Sequence, residues 1–197
     1  MHEPIFKPVF GQEWENMPPV LKAHYANRPY SNDVVVHEGL MDIRLSKVTK
    51  IISPLFKLFG ALVPYEGNDI PTTVYSRSEP DSANYILERQ WRFADKGTYI
   101  FRSTLIPMGG SKVFELMRFG LGWLGDYRYN GEKVLLTHRT FCFRVFGKLL
   151  PIPLAIFIGK GYAQEEVTGD NKFKMFVEMK HGIFGRTFEY KGEFEVK

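Results

Sequence analysis

Cysteine is almost absent: Cys142 is the single one in 197 residues. No disulfide can form within such a chain, and a reducing, cytoplasmic setting is expected. Long apolar runs are missing too. No stretch approaches the roughly eighteen apolar residues of a membrane-spanning helix, and Met1-His2-Glu3-Pro4 lacks the basic and apolar segments of a secretory leader. No run of five basic residues occurs, and 26 Lys and Arg are interspersed with 22 Asp and Glu. Nucleic-acid binding is therefore not expected, although the formal charge is +4 and the isoelectric point near 9.0. The five histidines, His2, His24, His37, His138 and His181, show no close metal-ligand spacing, so no metal is expected. No nucleophile elbow or Walker loop is present. Gly120-Leu121-Gly122-Trp123-Leu124-Gly125 has the spacing of a dinucleotide fingerprint but no parallel strand-helix-strand context, so it reads as turns or bulges and no cofactor is expected.

What the chain does have is apolar mass. Hydrophobic residues make up 44% and aromatics 15%, enough to fill a sizeable core, and no linker interrupts residues 1–197, which are expected to form one domain. A short helix is predicted from Asn16-Met17-Pro18-Pro19 to Tyr25, ended by Asn27-Arg28-Pro29. Val34 to Leu45 reads as a bent strand or strand pair with a bulge at Gly39. Val48, Ile51, Ile52, Leu55, Phe56, Phe59, Leu62 and Val63 recur at helical spacing, with Ser53-Pro54 as the start of the main helix or a kink in a longer one. From Thr72 onward, turn signals such as Asp95-Lys96-Gly97 and Asn130-Gly131 separate seven or eight short runs of strand formers, too close together for helical crossovers. The predicted fold is α+β and β-rich: a strongly curved antiparallel sheet or partly open barrel with one or two N-terminal helices packed on it.

Alternate residues of a strand share a face, so a charge inside an apolar row is informative. Tyr85, Leu87, Arg89, Trp91 and Phe93 form one such row, interrupted by Arg89. Phe184, Arg186, Phe188, Tyr190, Phe194 and Val196 form another, interrupted by Arg186. Ala163, Glu165 and Val167 form a third, with Glu165 as the acidic counterpart. His138, Cys142 and Arg144 share a row on a strand whose two faces are both mixed. Burying an unpaired charge is costly, so an inward arginine needs a carboxylate, a water-filled cavity or an anionic guest. Arg89, Trp91, His138, Arg144, Glu165, Arg186 and Tyr190 are the candidate ligand-binding residues, and no catalytic residue is assigned.

Several elements in order, Met17-Pro18-Pro19-Val20 with His24, His37-Glu38-Gly39, Trp91-Arg92-Phe93, Phe101-Arg102-Ser103, Leu150-Pro151-Ile152-Pro153, and Gly185 through Tyr190-Lys191-Gly192, resemble an uncharacterised bacterial domain family. That family occurs alone or fused behind a saccharopine-dehydrogenase-like reductase domain, and its fusions imply a small-molecule or lipid-metabolic context. Glu38 stands where the family tends to have arginine. The resemblance carries over no catalytic residue.

The functional expectation is binding of a lipid-like or other apolar molecule with an anionic group in a sheet-lined cavity. One rival is an isomerase-, cyclase- or lyase-type enzyme using the same cavity, with Glu165 or His138 as base. Another is an interaction module that docks on a reductase or a membrane surface through the apolar segment 149–158, which is ten residues long and carries two prolines.

Overall fold

The computed structural model describes residues 2–197. Three short helices come first: α1 (Lys7–Phe10), α2 (Glu13–Asn16) and α3 (Pro19–His24). Strand β1 (Val34–Leu45) leads into α4 (Lys47–Phe59). Strands β2 (Gly67–Arg77), β3 (Tyr85–Phe93), β4 (Gly97–Pro107), β5 (Lys112–Leu116), β6 (Leu121–Tyr129) and β7 (Lys133–Val145) follow, with a 3-10 turn at Arg118–Gly120 before β6. The chain ends with β8 (Lys148–Ile152), α5 (Ala155–Ile158), β9 (Lys160–Gly169), β10 (Lys172–His181) and β11 (Gly185–Val196).

All strands pair antiparallel in one sheet, in the order β6-β5-β4-β3-β2-β1-β11-β10-β9-β7-β8, and β6 also pairs with β7. This second pairing closes the sheet into a ten-stranded barrel and leaves no free edge in the ring. β8 stays outside as a flap on the upper half of β7, whose lower half pairs with β9. The predicted seven or eight strands are too few. β8 lies in the apolar segment with two prolines, for which no strand was expected, and the GxGxxG run is largely strand, since Leu121 to Gly125 form the start of β6.

α4 shows how local sequence sets an element. Ser46 caps it by accepting from the Thr49 amide at 3.2 Å, and Gly60 ends it in the left-handed region at φ 54°. Pro54 lies inside the helix and removes one amide donor. The Ser53 hydroxyl donates to the orphaned Lys50 carbonyl at 2.8 Å instead. The helix thus starts at Lys47, not at Ser53-Pro54, and the proline is accommodated within it.

Bulges decide which side chains enter the barrel. On β7, Leu124 pairs with Thr140 but Gly125 with His138, so Arg139 is an extra residue. The inward set changes there from Val134 and Leu136 to Phe141 and Phe143, and Arg144 is turned outward and exposed. On β11, Met179 pairs with Phe188 but Lys180 with Arg186, which makes Thr187 the extra residue. Its hydroxyl donates to the Met179 and Ile158 carbonyls, both at 3.1 Å. Arg186 therefore joins Lys180 on the outer face, where it bonds Glu178 at 2.8 Å and also Glu189. The expectation that Arg186 points inward is overturned by this one-residue shift. The expected bulge at Gly39 is also displaced, to the stretch between Met41 and Ile43. Gly39 instead allows a close strand crossing, because a Cβ there would meet the Glu193 carbonyl oxygen at 2.0 Å.

The two barrel ends differ. α1 to α3 plug the end at which β1 begins and β6 ends. Phe6, fully buried, packs its ring 4.8 Å from Tyr25, 5.0 Å from Tyr85 and 5.3 Å from Tyr127. Burying such a side chain is worth roughly 1.5–3 kcal/mol. Asn27, also fully buried, ties plug to wall through bonds from its amide nitrogen to the Asp33 and Ser76 carbonyls at 2.9 and 3.1 Å. At the opposite end lie α4, α5, the 3-10 turn and the β7–β8 and β10–β11 turns, as the strand directions require.

Candidate functional site

Between plug and α4 the barrel encloses a cavity of about 370 Å³. At the α4 end its wall is apolar: Ile52, Phe56 and Phe59 from α4, and Leu154 and Ile158 from the α5 segment. Further in, the sheet contributes Leu87, Leu105, Val134, Leu136 and Val177. Polar side chains are concentrated toward the plug: Arg89, Glu115, Glu165, Tyr85, Tyr127 and Tyr190 from the strands, with His24 and Tyr25 from the end of α3.

Two buried clusters organise this polar region. In the first, Glu115 accepts from the Ser103 hydroxyl at 2.6 Å, the Trp123 indole at 2.7 Å and the Arg89 guanidinium at 3.3 and 3.4 Å. Arg89 also has its guanidinium 4.9 Å from the Phe101 ring centre. Its Nε is buried without a partner among the described residues. Carboxylate and guanidinium balance each other, as buried charges must.

In the second cluster, Glu165 accepts from the Tyr25 hydroxyl at 2.8 Å, and its other oxygen lies 3.5 Å from Nε2 of His24. His24 Nδ1 is 2.8 Å from His37 Nε2, and His37 Nδ1 is 3.3 Å from the Val74 carbonyl oxygen. A carbonyl can only accept, so His37 carries its proton on Nδ1, and the tautomers follow in sequence. His24 then donates from Nδ1 to His37, which leaves His24 Nε2 as an acceptor facing Glu165. Burial pushes the Glu165 carboxyl up from 4.5 to about 7, moderated by the Tyr25 hydrogen bond and the charge of Arg89. Burial and then Arg89 hold His24 down to about 3, and burial and then His24 keep His37 well below its usual value. A protonated Glu165 beside two neutral imidazoles is compatible with each of these contacts.

Of the residues singled out from sequence, Arg89, Glu165 and Tyr190 line the cavity. Trp91 is buried behind it, with its indole directed at the Met41 sulfur at 3.0 Å. His138 is buried outside the lining, stacked on Trp123 with centroids 5.4 Å apart, and neither ring nitrogen has a partner among the described residues. Its pKa is lowered to about 4 by burial and then by Lys160. Arg144 and Arg186 lie on the exterior. Glu115 and Tyr25 were not anticipated. Glu115 alternates inward between Val113 and Met117 but belongs to a five-residue strand, too short to stand out. Tyr25 meets a carboxylate 140 residues away, a contact that no local pattern reveals.

Fold and site together define a closed antiparallel β-barrel with a helical plug and a polar cluster inside its cavity. The chain belongs to the family described as Domain of unknown function (DUF4166), whose model matches residues 17–194. No curated protein matches the chain in sequence. Among solved structures it is similar to Rv2717c from M. tuberculosis, with 12% identity over 92% of this chain and 99% of that one and a TM-score of 0.46. It is also similar to the dehydratase domain of the polyketide PpsC from Mycobacterium tuberculosis, with 8% identity over 91% of this chain and 84% of that one and a TM-score of 0.20. The PpsC dehydratase domain in complex with C12:1-CoA shows 7% identity, coverage of 92% and 85%, and a TM-score of 0.20.

Proposed function

We propose that the barrel binds a lipid-like molecule, polar end first, with its apolar part directed toward α4. The observation that carries this reading is the polarity gradient of a cavity of about 370 Å³, apolar at the α4 end and polar toward the plug. That volume falls in the range of roughly 300–1,000 Å³ typical of small-molecule sites. The head group is revised from the sequence expectation. Arg89 already has Glu115, Arg186 is outside, and Glu165 is held toward its neutral form, so a neutral hydrogen-bonding head suits the cavity better than an anionic one.

The test is uptake of Nile red, a neutral apolar dye, and its displacement at pH 8 by dodecanol and by dodecanoate. Dodecanol is expected to displace the dye better, and narrowing the cavity by Leu136→Trp to weaken uptake while the circular dichroism spectrum is kept. Dye uptake unaffected by Leu136→Trp would remove the cavity from the account. Stronger displacement by dodecanoate would restore the anionic head. Native mass spectrometry of gently purified protein would then name any molecule that it retains.

A second reading is supported by the position of Glu165. A carboxyl with a pKa of about 7, oriented by Tyr25 and His24, has the proton affinity of an efficient general acid or base near neutrality. Its expected chemistry is proton transfer at a carbon acid of the bound molecule. Incubation in deuterium oxide distinguishes the readings: an enzyme puts deuterium into the retained molecule and its Glu165→Gln variant does not, whereas a carrier leaves the mass unchanged.

A further inference from the structure

The exterior of the α4 end is built unlike the rest of the surface. Among the described residues, the six most exposed large hydrophobic side chains are Ile51, Phe119, Phe146, Ile156, Phe157 and Ile183, each at least 66% exposed. All six belong to connections at this one end: α4, the 3-10 turn, the β7–β8 turn, α5 and the β10–β11 turn. α4 is apolar on two neighbouring faces. Ile52, Leu55, Phe56 and Phe59 line the cavity, while Ile51 and Leu58 face solvent and Leu55, half exposed, bridges the two faces. An ordinary core helix has only the first of these stripes.

The unpaired charge at this end is predominantly positive. Lys47, Lys57, Arg118, Lys148, Lys160 and Lys180 are exposed in these connections or on the strand residues bordering them, and none forms an ion pair with a described residue. Of the carboxylates at this end, Glu66 after α4 and Asp95 in the β3–β4 turn are bonded to Lys50 at 2.5 Å and Lys96 at 2.6 Å, and Asp69 near the start of β2 is exposed without an ion pair to a described residue. The plug end is mixed, with Arg28 paired to Asp33 and Lys7 to Glu3.

We propose that this end is a peripheral docking face for an anionic phospholipid bilayer. Exposed aromatic and aliphatic side chains interspersed with unpaired cations match the acyl boundary and the negative headgroup layer of such a surface. The apolar residues project from five separate connections around the rim and form no single groove, which suits a broad fluid surface better than a peptide. A second copy of the chain is disfavoured, because a symmetric contact through this end would bring the same unpaired cations together. Docking also brings the apolar half of the cavity wall to the membrane. The proposal goes beyond cavity binding and holds whether or not the cavity is filled.

The test is flotation of the full chain with vesicles of phosphatidylcholine alone and with about one third phosphatidylglycerol, in about 0.1 M and about 1 M salt. Binding is expected only to the mixed vesicles, falling at least about tenfold in high salt as the Debye length shrinks. The double variant Phe146→Ser/Ile183→Ser and, separately, Lys148→Glu/Lys180→Glu should each weaken it by about tenfold or more. These side chains are exposed, so both variants should keep the wild-type circular dichroism spectrum and melting temperature. No binding of wild-type protein to mixed vesicles, or equal binding by wild type and both folded variants, would overturn the proposal. So would a concentration-dependent dimer in sedimentation that the Phe146→Ser/Ile183→Ser variant abolishes, because the face would then belong to a second copy.

Discussion

Nδ1 of His24 lies 2.8 Å from Nε2 of His37 in a fully enclosed pair, and the Val74 carbonyl beyond His37 fixes the direction of the proton chain. The acceptor left over, His24 Nε2, faces Glu165, so the folded protein holds a carboxyl proton at a pH where free carboxyls have lost theirs. The sign of the pH effect follows. Glu165 is raised from 4.5 to about 7, so its contribution to stability is complete below about 4.5 and is lost as pH rises through about 7. His24 is lowered to about 3 from 6.5, so its contribution is present above 6.5 and lost on acidification toward 3, and His37 acts in the same direction. Between pH 6.5 and 8 Glu165 loses its contribution while His24 and His37, whose unfolded forms are still half protonated at pH 6.5, complete theirs, so the two effects oppose each other. Urea unfolding should show wild-type protein losing roughly 1 kcal/mol across that interval relative to Glu165→Gln, which keeps only the histidine gain. Parallel pH profiles would place the proton elsewhere.

Glu115 anchors the other cluster, and its loss leaves Arg89 charged and unpaired in the interior. Glu115→Leu should cost roughly 3–5 kcal/mol, the range for breaking a buried pair from one side. The double variant Arg89→Met/Glu115→Leu should be less destabilised than Glu115→Leu alone, because no uncompensated charge remains. A double-mutant cycle by urea unfolding measures this coupling, and simple additivity would show that the pair is not energetically linked.

Most of the fold was legible where periodicity had room to show. The alternation of β3 and β11 located interior faces over most of their length, and the apolar spacing over residues 48–63 located α4. What was hidden was short or distant. α1 and α2 have four residues each, which is too few for a helical period. Barrel closure depends on β6 meeting β7 over a nine-residue register and leaves no mark of its own in composition. The misplaced arginines have one common cause. The extra residues at Arg139 and Thr187 invert the faces of β7 and β11, and neither is the glycine that usually advertises a bulge. Within the site, Arg89 and Glu165 were visible as charges breaking an apolar row, whereas their partners were not, because pairing is set by barrel geometry.

His138 sits against Trp123 and Phe141 with both ring nitrogens buried and without a partner among the described residues, so the neutral ring carries an unmet donor into the interior. An unsatisfied buried polar group costs roughly 1–3 kcal/mol. His138→Leu removes that cost and retains most of the apolar contact, so its melting temperature should rise. Nile red uptake should change little, since the residue lies outside the cavity lining. A large loss of uptake with intact stability would return His138 to the binding site.

Arg89 and Arg186 are the sharpest comparison, because the same sequence logic selected both and the structure separates them. Arg89 is buried in the cavity wall with a charge-balancing carboxylate, whereas Arg186 is exposed beside Glu178 and Glu189 on the outer face. Exposed ion pairs contribute about 0–1 kcal/mol, so Arg186→Met should remain within about 1 kcal/mol of wild type and take up Nile red unchanged. Arg89→Met leaves Glu115 without its counter-charge and alters the polar end of the cavity. It should lose several-fold more stability than Arg186→Met, and it should weaken displacement of the dye by dodecanol if the alcohol accepts a hydrogen bond from the free Nε–H. Equal stability losses for the two variants would mean that Thr187 does not reverse the face of β11, and the inward assignment of Arg186 would have to be restored.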